Sequence, residues 1–334
     1  MTRAAYGDAA IYSQMAWDSL AEWKQLGERT GLPIFHQLGV LFFTATPGDY
    51  FSQTLAVNRQ LGLPIQELRP SELRARFPMI DFGDVELGLF EPDFGALMAR
   101  RAVQALVAEF MGKGGAYVAL QAQVSPHQGP LASIALSDGS EFEADAFVVA
   151  AGPWLGKIFP ELLANRIIPT RQEIFYFAAP PGDPGFRPGS MPAWAEFSGD
   201  EFHYGFPDLE GAGVKFAHHC EGPVVDPDTQ IRLSSDPALQ EITAYRDRRF
   251  PRLRDAALTK AEVCQYENSS NGDFLIDFHP DMPNVLLVGG GSGHGFKHGP
   301  EVGRYAASLL AGDGQIEPRF SLATKNADQK REIH

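Results

Sequence analysis

An apolar run followed by closely spaced glycines stands near the end of the chain, in VLLVGGGSGHGFKHGP, residues 285–300. A strand that enters such a turn can bring its backbone close to a ligand, because glycine has no Cβ to hold the ligand away. A dinucleotide-binding unit would need G-x-G-x-x-G opening a helix, then a second strand that ends in Asp or Glu. Here the helix begins late and only a polar tail follows it. The stretch therefore predicts a ligand-facing turn, but not the pyrophosphate loop of a standard Rossmann unit.

Composition limits the classes of partner that the chain can bind. The chain has 334 residues, 44% of them hydrophobic, and a formal net charge of −14, which would repel a phosphate backbone and excludes nucleic acid. Its two cysteines cannot form a disulfide framework and show no zinc spacing. The N-terminus has no signal-peptide pattern, and no stretch reaches the roughly 18 apolar residues of a membrane span. We expect a cytoplasmic protein with no membrane contact.

The first half of the chain alternates helical and strand patterns. Apolar residues at helical spacing predict a helix over 8–26, with Asp8 as its cap. A strand or hairpin is expected over 33–45 and a strand over 116–124. A hairpin followed by a buried strand is expected over 134–152. Further helices are expected at 48–61, 70–77 and 98–111.

Between about residues 169 and 277 the pattern changes to short alternating runs separated by Gly, Pro and Asp turns, which is typical of an antiparallel or mixed sheet. One helix, near 237–250, interrupts these runs. A buried strand at 284–290 and a helix at 300–311 close the chain. We therefore expect a mixed α/β (α+β) fold, in which an α/β domain returns after a β-rich insertion and residues 285–289 share a sheet with 147–151.

Six ordered stretches resemble the monomeric sarcosine oxidase family of flavin amine oxidases, over nearly the whole chain. The resemblance is carried by ADAFVVAAGPWLGKI, RQEIFYF, HYGFPDLEGAGVKFAHH, VDPDT, VCQYENSSNGDFLIDFHP and SGHGFK. It implies bound FAD, oxidation of a secondary or N-methylated amino acid to an imine that water hydrolyses, and O2 as the acceptor that yields hydrogen peroxide. A dehydrogenase of the same fold, passing electrons elsewhere, stays open.

The resemblance also assigns residues to the cofactor. Cys264 matches the cysteine that forms a thioether with the flavin, although a lone strand cysteine is otherwise a small buried hydrophobe. Lys297 matches the lysine at the reactive edge of the flavin, where it assists oxygen activation and contacts the substrate carboxylate; a solvated turn lysine is the alternative. The other expected flavin contacts are Gly152, Gly293, His294, Gly295 and Phe296.

A second set is expected at the substrate. Arg3 matches an arginine that pairs with the substrate carboxylate, which suits a bidentate guanidinium. Tyr204, Lys215 and His219 match active-site residues on neighbouring strands, although a histidine near a strand end is more often structural. Lys215 and His219 should face one side of their strand. Cys220 is interpreted as structural, Asp8 matches an acidic pocket residue, and no metal is expected.

Members of the family open with a strand, a G-x-G-x-x-G turn and a helix that hold the ADP half of FAD. This chain begins at MTRAAYGD, which resembles the segment downstream of that unit. We therefore expect an incomplete FAD-binding, Rossmann-like domain over residues 1–32, 96–162 and 272–334. A β-rich substrate domain is expected over 33–95 and 163–271. A chain starting at Met1 should hold FAD weakly, so a non-catalytic remnant, or a natural protein that starts further upstream, stays open. The substrate amine and the oligomeric state do not follow from the residues.

Overall fold

The structure is a computed structural model that describes residues 1–125, 127–198 and 201–327. None of the helices in these ranges combines the length and the apolar character that a membrane crossing requires. The α-helices are α1 (Ala10–Thr30), α2 (Asp49–Gln60), α3 (Pro70–Arg76), α4 (Ala99–Gly112), α5 (Leu155–Ile158), α6 (Pro160–Leu163), α7 (Asp236–Arg249) and α8 (Gly299–Ala311).

The strands separate into one large sheet and three small ones. They are β1 (Phe35–Gln37), β2 (Val40–Thr44), β3 (Gln66–Leu68), β4 (Leu87–Glu91), β5 (Gly95–Leu97), β6 (Ala122–Gln123), β7 (Ser133–Leu136), β8 (Glu141–Glu143), β9 (Phe147–Val149), β10 (Ile167–Phe177), β11 (Ala193–Ser198), β12 (Glu201–Phe206), β13 (Val214–His219), β14 (Leu258–Ser269), β15 (Leu275–Phe278) and β16 (Val285–Gly289). This mixed α/β architecture confirms the fold class that the sequence predicts.

The large sheet has eight strands in the order β14-β10-β13-β12-β11-β2-β4-β3. Its neighbours are antiparallel except for β11 and β2, which run parallel. The two longest strands, β10 and β14, pair from Ile167 opposite Ser269 to Phe177 opposite Leu258. Aromatic side chains such as Trp194 and Phe216 fill the core on one face, where α7 packs. The opposite face of β12 and β13 belongs to the candidate site.

A smaller sheet, in the order β15-β16-β9, joins distant parts of the chain. Strand β16 pairs in parallel with β9, from Val285 opposite Phe147 to Leu287 opposite Val149. This confirms that residues 285–289 share a sheet with 147–151. The strand β9 is less buried than its apolar sequence predicts, because the Val148 side chain is 47% exposed.

Local details of the sequence interpretation need correction. Residues 33–45 do not form a hairpin: β1 pairs with β5, whereas β2 pairs with β4 and β11, because the turn at Gly39 directs the two strands into different sheets. Residues 116–124 contribute only Ala122–Gln123 as strand. Helix α1 begins at Ala10, and its N-cap Ala9 has no side-chain hydrogen bond, so Asp8 is not the cap. Asp8 is exposed, and its place in the substrate pocket stays a prediction.

A buried ionic network joins α7 to β11. Arg249 donates to the Glu196 carboxylate through Nε at 2.8 Å and through Nη2, and its Nη1 donates to Asp84 Oδ1 at 2.6 Å. Tyr245 Oη donates to Glu196 Oε2 at 2.7 Å. The side chains of Arg249 and Glu196 are only 3% and 7% exposed. Each charge therefore depends on the other for compensation.

Removing one partner of this pair should destabilise the fold strongly. We expect Arg249→Met to lower the free energy of unfolding by about 3–5 kcal/mol, because the buried Glu196 carboxylate then keeps only the distant, exposed Arg248 at 3.8 Å as a cationic partner. The double variant Arg249→Met with Glu196→Leu should lose much less than the two single losses combined. Urea unfolding of the wild type, the two single variants and the double variant measures these free energies. The control is Arg248→Met on the same helix. Arg248 lies 3.8 Å from the same carboxylate, but its side chain is 56% exposed, so its loss should cost much less. Equal losses at both arginines would contradict the assignment.

Candidate active site

The glycine-rich turn after β16 is shaped by residues with positive φ. Gly290 and Gly293 have φ of 68° and 81°, and Ser292 has φ of 45°, which is uncommon for a residue with a Cβ. Ser292 is held there because its Oγ accepts from the Ser269 amide and donates to the Gly290 carbonyl, both at 3.1 Å. A strained residue that its surroundings fix in this way is typical of a functional turn.

The turn delivers Lys297 into a buried cluster built around Tyr6. Lys297 Nζ donates to Tyr6 Oη at 2.5 Å and to the His294 carbonyl at 2.7 Å. The Arg3 guanidinium lies over the same tyrosine ring, 4.2 Å from its centroid. Tyr6 Oη also lies 2.7 Å from His298 Nε2. Arg3 and Lys297 are each 5% exposed, so two cationic side chains share one desolvated region.

Burial changes the acid–base properties of this cluster. The pKa of Lys297 is lowered well below its usual value, first by desolvation and then by the nearby charge of Arg3, while Glu91 opposes the shift. Burial raises the pKa of Glu91 to about 7. Glu91 accepts from the Ala4 amide at 3.1 Å and from Asn58 Nδ2 at 3.0 Å, and both bonds favour its ionised form. The cluster therefore contains a carboxyl able to exchange protons near neutral pH, beside a lysine that releases its proton more easily than an exposed one.

A second cluster lies on β12, β13 and β14. His219 Nδ1 lies 3.1 Å from Tyr266 Oη, and Tyr204 forms a side-chain hydrogen bond with the same tyrosine. Lys215 Nζ lies 5.4 Å from the centroid of the Tyr204 ring. Burial raises the pKa of the Cys264 thiol, and the charge of Lys215 opposes that shift. Lys215 and His219 share one face of β13, as their spacing predicts, and the structure brings all four predicted residues together with Tyr266.

The two clusters adjoin each other. The Met1 amino group has a pKa well below its usual value, because it is buried and because it feels the positive charges of Lys215, Lys297 and Arg3. A Cβ placed on Gly293 would come within 2.5 Å of the Tyr266 ring, so the glycine turn packs directly on the second cluster. Residues far apart in the sequence thus surround one region on the face of the large sheet opposite to α7.

A cavity of about 200 Å³ lies where the parallel strands β9 and β16 end. The carboxyl ends of parallel strands are where open α/β sheets bind ligands. Gly152, Gly291 and Gly295 line the cavity, and Gly152 has φ of 55° with open space at its Cβ position. Glu267 also lines it, and its Oε2 is a buried atom with no hydrogen-bond partner. A glycine cradle with one unsatisfied polar group fits a flat, polar-edged cofactor such as a flavin.

Two residues at this site are not in the sequence interpretation. Tyr266 and Glu267 follow Cys264 on β14, and alternation along a strand predicts that Tyr266 shares its face. Nothing in the local pattern shows that Glu267 reaches the glycine turn, where its Oε1 accepts from the Gly291 amide at 3.2 Å. One predicted flavin contact lies apart: Phe296 stacks on Trp23, with ring centroids 5.4 Å apart, and lines a different cavity.

Comparison with known proteins finds FAD-dependent oxidoreductases. A family model described as FAD dependent oxidoreductase (DAO) matches residues 1–309. The monomeric sarcosine oxidase of Bacillus sp. (strain B-0618) is 28% identical over 335 residues, covering 99% of this chain and 85% of that protein. The N-methyl-L-tryptophan oxidase of Yersinia pestis (strain Pestoides F) is 27% identical over 319 residues, covering 93% and 82%.

Solved structures share the fold. The L-proline dehydrogenase from P. horikoshii superimposes with a TM-score of 0.80 at 18% identity, covering 96% of this chain and 84% of that one. The fructosyl peptide oxidase from E. terrenum superimposes with a TM-score of 0.78 at 20% identity, covering 95% and 79%. At these identities the likeness concerns the architecture alone.

The buried carboxyl of Glu267 should make stability depend on pH. Burial raises its pKa to about 7, so its contribution is complete below the unfolded value near 4.5 and is lost as the pH rises through 7. Glu267→Gln places an uncharged amide there and keeps an oxygen for Gly291. Without added FAD, we expect the variant to gain up to about 3 kcal/mol over the wild type between pH 5 and pH 8.

Urea unfolding at the two pH values measures this difference. The control is Glu262→Gln on the same strand, because Glu262 is paired with Lys260 at 2.7 Å and has a lowered pKa. That substitution should give no gain at pH 8. A wild type and a Glu267→Gln variant with parallel pH profiles would show that the carboxyl is not desolvated.

Proposed function

The chain belongs to the family of FAD-dependent oxidoreductases, and from this premise we propose that it oxidises the carbon–nitrogen bond of a secondary or N-methylated amino acid. The substrate would lose a hydride equivalent from carbon and a proton from nitrogen, and water would hydrolyse the resulting imine. When bound, FAD supplies the hydride acceptor and passes two electrons to O2, which with two protons gives hydrogen peroxide. The names of the similar oxidases support this substrate class.

The observation that carries the proposal is the burial of Arg3 and Lys297 beside the glycine turn. An amino-acid substrate brings a carboxylate, and two cations in a desolvated region attract it far more strongly than they would in water. The planar guanidinium of Arg3 suits a carboxylate and fixes its orientation. Binding at this end would leave the amine to extend towards Tyr204 and Tyr266. The role of these side chains is thus to position the bond that reacts.

Proton movement would fall to groups with shifted pKa values. An amino-acid amine must lose its proton before its electrons are available. In its neutral form, which burial favours by lowering its pKa, Lys297 would accept that proton at Nζ and so become the cation that attracts the substrate carboxylate. Tyr6 Oη connects Lys297 to His298 and offers an exit route for that proton. His219 and Lys215 would act on the opposite side, where the positive charge of Lys215 favours anions.

Cofactor binding would involve both parts of the chain. Gly152, Gly293, His294 and Gly295 would border the flavin, and Cys264 would attach it through a thioether. We place the flavin domain in residues 1–32, 96–162 and 272–334, and the substrate domain in 33–95 and 163–271. The position of Cys264 on the face of β14 that carries Tyr266 supports the attachment, because that face borders the glycine turn. Burial raises the pKa of the Cys264 thiol, and the nearby Lys215 opposes this shift in favour of the thiolate that must react.

Covalent attachment can be tested with the two cysteines of the chain. After incubation with a large excess of FAD, which offsets the weak binding expected of a chain starting at Met1, acid precipitation of the wild type should leave yellow flavin in the pellet. Cys264→Ala should release it into the supernatant, because the thioether cannot form. Cys220→Ala is the control and should retain the flavin, since Cys220 lies on another strand end and its carbonyl accepts from Gln172 at 3.0 Å. Flavin that stays covalent in Cys264→Ala would move the link elsewhere.

The role of Lys297 can be tested by stopped-flow kinetics on FAD-loaded protein. With sarcosine, N-methyl-L-tryptophan and L-proline as probe substrates, we expect at least one to bleach the flavin and yield hydrogen peroxide in air. Lys297→Met keeps side-chain length but removes the amine, so reduction should slow at least 100-fold and reoxidation should also slow.

The matched control is Lys260→Met, whose side chain is 54% exposed and paired with Glu262. It should leave both half-reactions nearly unchanged. Reduction and reoxidation rates in Lys297→Met equal to those of the wild type would defeat the assignment. Bleaching without peroxide would identify a dehydrogenase.

A further inference from the structure

Two histidines face each other on the side of the large sheet opposite to the candidate active site. His203 on β12 is the direct cross-strand partner of His218 on β13. Their neighbours Tyr204 and Ala217 form the next pair and point to the other face, because side chains alternate along a strand. Helix α7 packs over the histidine face and places Glu241 above the pair.

The three side chains converge on one point. His203 Nε2 lies 2.5 Å from Glu241 Oε1, and His218 Nδ1 lies 3.8 Å from Glu241 Oε2. One potential ligand atom from each residue lies within 4.8 Å of the other two. The imidazole rings are stacked, with centroids 4.3 Å apart and planes at 9°. Two imidazole nitrogens and a carboxylate oxygen thus lie close enough to ligate one ion.

The surroundings hold the histidines in place. The ring of Tyr245 stacks on His203 at a centroid distance of 3.9 Å. Tyr245 Oη is directed away, since it donates to Glu196 in the buried network of α7. The backbone of the antiparallel pair fixes the spacing of the two imidazoles, so the site stands on rigid elements rather than on a loop.

Chemistry separates this group from an ordinary surface ion pair. His36 and Glu210 form such a pair at 3.2 Å, but there the carboxylate also accepts two hydrogen bonds from Arg101. A cation beside the carboxylate would repel a metal ion. At the cross-strand site, the ion pairs recorded for Glu241 within the described ranges are with His203 and His218, which are metal ligands when neutral.

We propose that His203, His218 and Glu241 form a binding site for a divalent transition-metal ion of the zinc class. Two nitrogens and one carboxylate oxygen suit Zn²⁺ and its neighbours, whereas Mg²⁺ and Ca²⁺ prefer oxygen ligands only. The side chains are 17%, 24% and 42% exposed, so solvent reaches the site and a water molecule can complete a tetrahedron.

Binding requires a modest rearrangement. Bonds of about 2.0–2.1 Å in a tetrahedron place ligand atoms about 3.3 Å apart. The His203–Glu241 contact at 2.5 Å must therefore open and the longer separations must close, and the stacked imidazoles must tilt so that both ring planes contain the metal. Rotation of the half-exposed Glu241 carboxylate and small changes at the histidine Cβ–Cγ bonds provide this movement without displacing the backbone.

A bound ion would clamp α7 to the sheet. The metal would link Glu241 on the helix to two strands of the sheet. Arg249 already links the C-terminal end of the same helix to Glu196 on β11. Any ligand that binds the folded state alone raises its stability. The site is therefore structural, and it lies on the far face from the groups proposed to act on substrate.

The experiment uses FAD-loaded protein without a polyhistidine tag, stripped with a chelator and dialysed against Zn²⁺. Metal analysis should find one Zn²⁺ per chain, and excess Zn²⁺ should raise the melting temperature by a few degrees, whereas Mg²⁺ should not. His218→Gln and Glu241→Gln should each lower the Zn²⁺ affinity at least 10-fold and abolish the thermal shift. His36→Gln is the matched control and should keep both, since His36 is 22% exposed.

The variants His218→Gln and Glu241→Gln remain informative if His203→Gln, whose ring is more buried, fails to fold. X-ray absorption of the zinc-loaded wild type should show two imidazole nitrogens in the metal shell. The proposal is overturned if wild type and both variants bind the same amount of Zn²⁺ with the same affinity. It is equally overturned if the wild type binds none.

Discussion

Two cationic side chains buried around one tyrosine ring set the geometry on which the candidate site depends. Arg3 comes from the first residues of the chain and Lys297 from the last glycine turn, and both lie against Tyr6. Two like charges in a desolvated region are costly unless hydrogen bonds and a nearby carboxylate compensate them. Glu91 lies close enough to oppose the lowering of the Lys297 pKa. The segment of Arg3, the glycine turn of Lys297 and strand β4 must therefore meet at one place. A carboxylate substrate would be attracted to the same place.

Much of the architecture follows from periodicity, because long elements carry many consistent residues. Helices α4 and α8 lie close to their expected positions for this reason. Short segments depend on tertiary partners instead: residues 33–45 look like a hairpin, yet β1 and β2 join different sheets. The turn at Gly39 allows this separation, since its φ of 70° favours glycine. Asp8 shows the same limit, because a suitable capping residue does not cap when the helix begins two positions later.

The candidate site could be anticipated only in part. Cys264, Tyr204, Lys215 and His219 are recognisable through motif resemblance, and strand alternation explains why they share a face. Glu267 is different, because its importance comes from an unpaired buried oxygen that exists only once the glycine turn has folded over it. His203 and His218 also escape notice, since their pairing depends on the register between β12 and β13 rather than on spacing along the chain.

The alternation along β14 has a consequence for how this protein can change over evolutionary time. Tyr266 meets His219 and Gly293 on one side of the strand, and Glu267 accepts from Gly291 on the other. Inserting or deleting one residue upstream of Tyr266 would exchange the two sides and disconnect both contacts together. Side chains on β14 are therefore open to substitution one at a time, whereas its length is not. Divergence of the substrate pocket would proceed through replacements within this strand and through length changes in the loops at its ends.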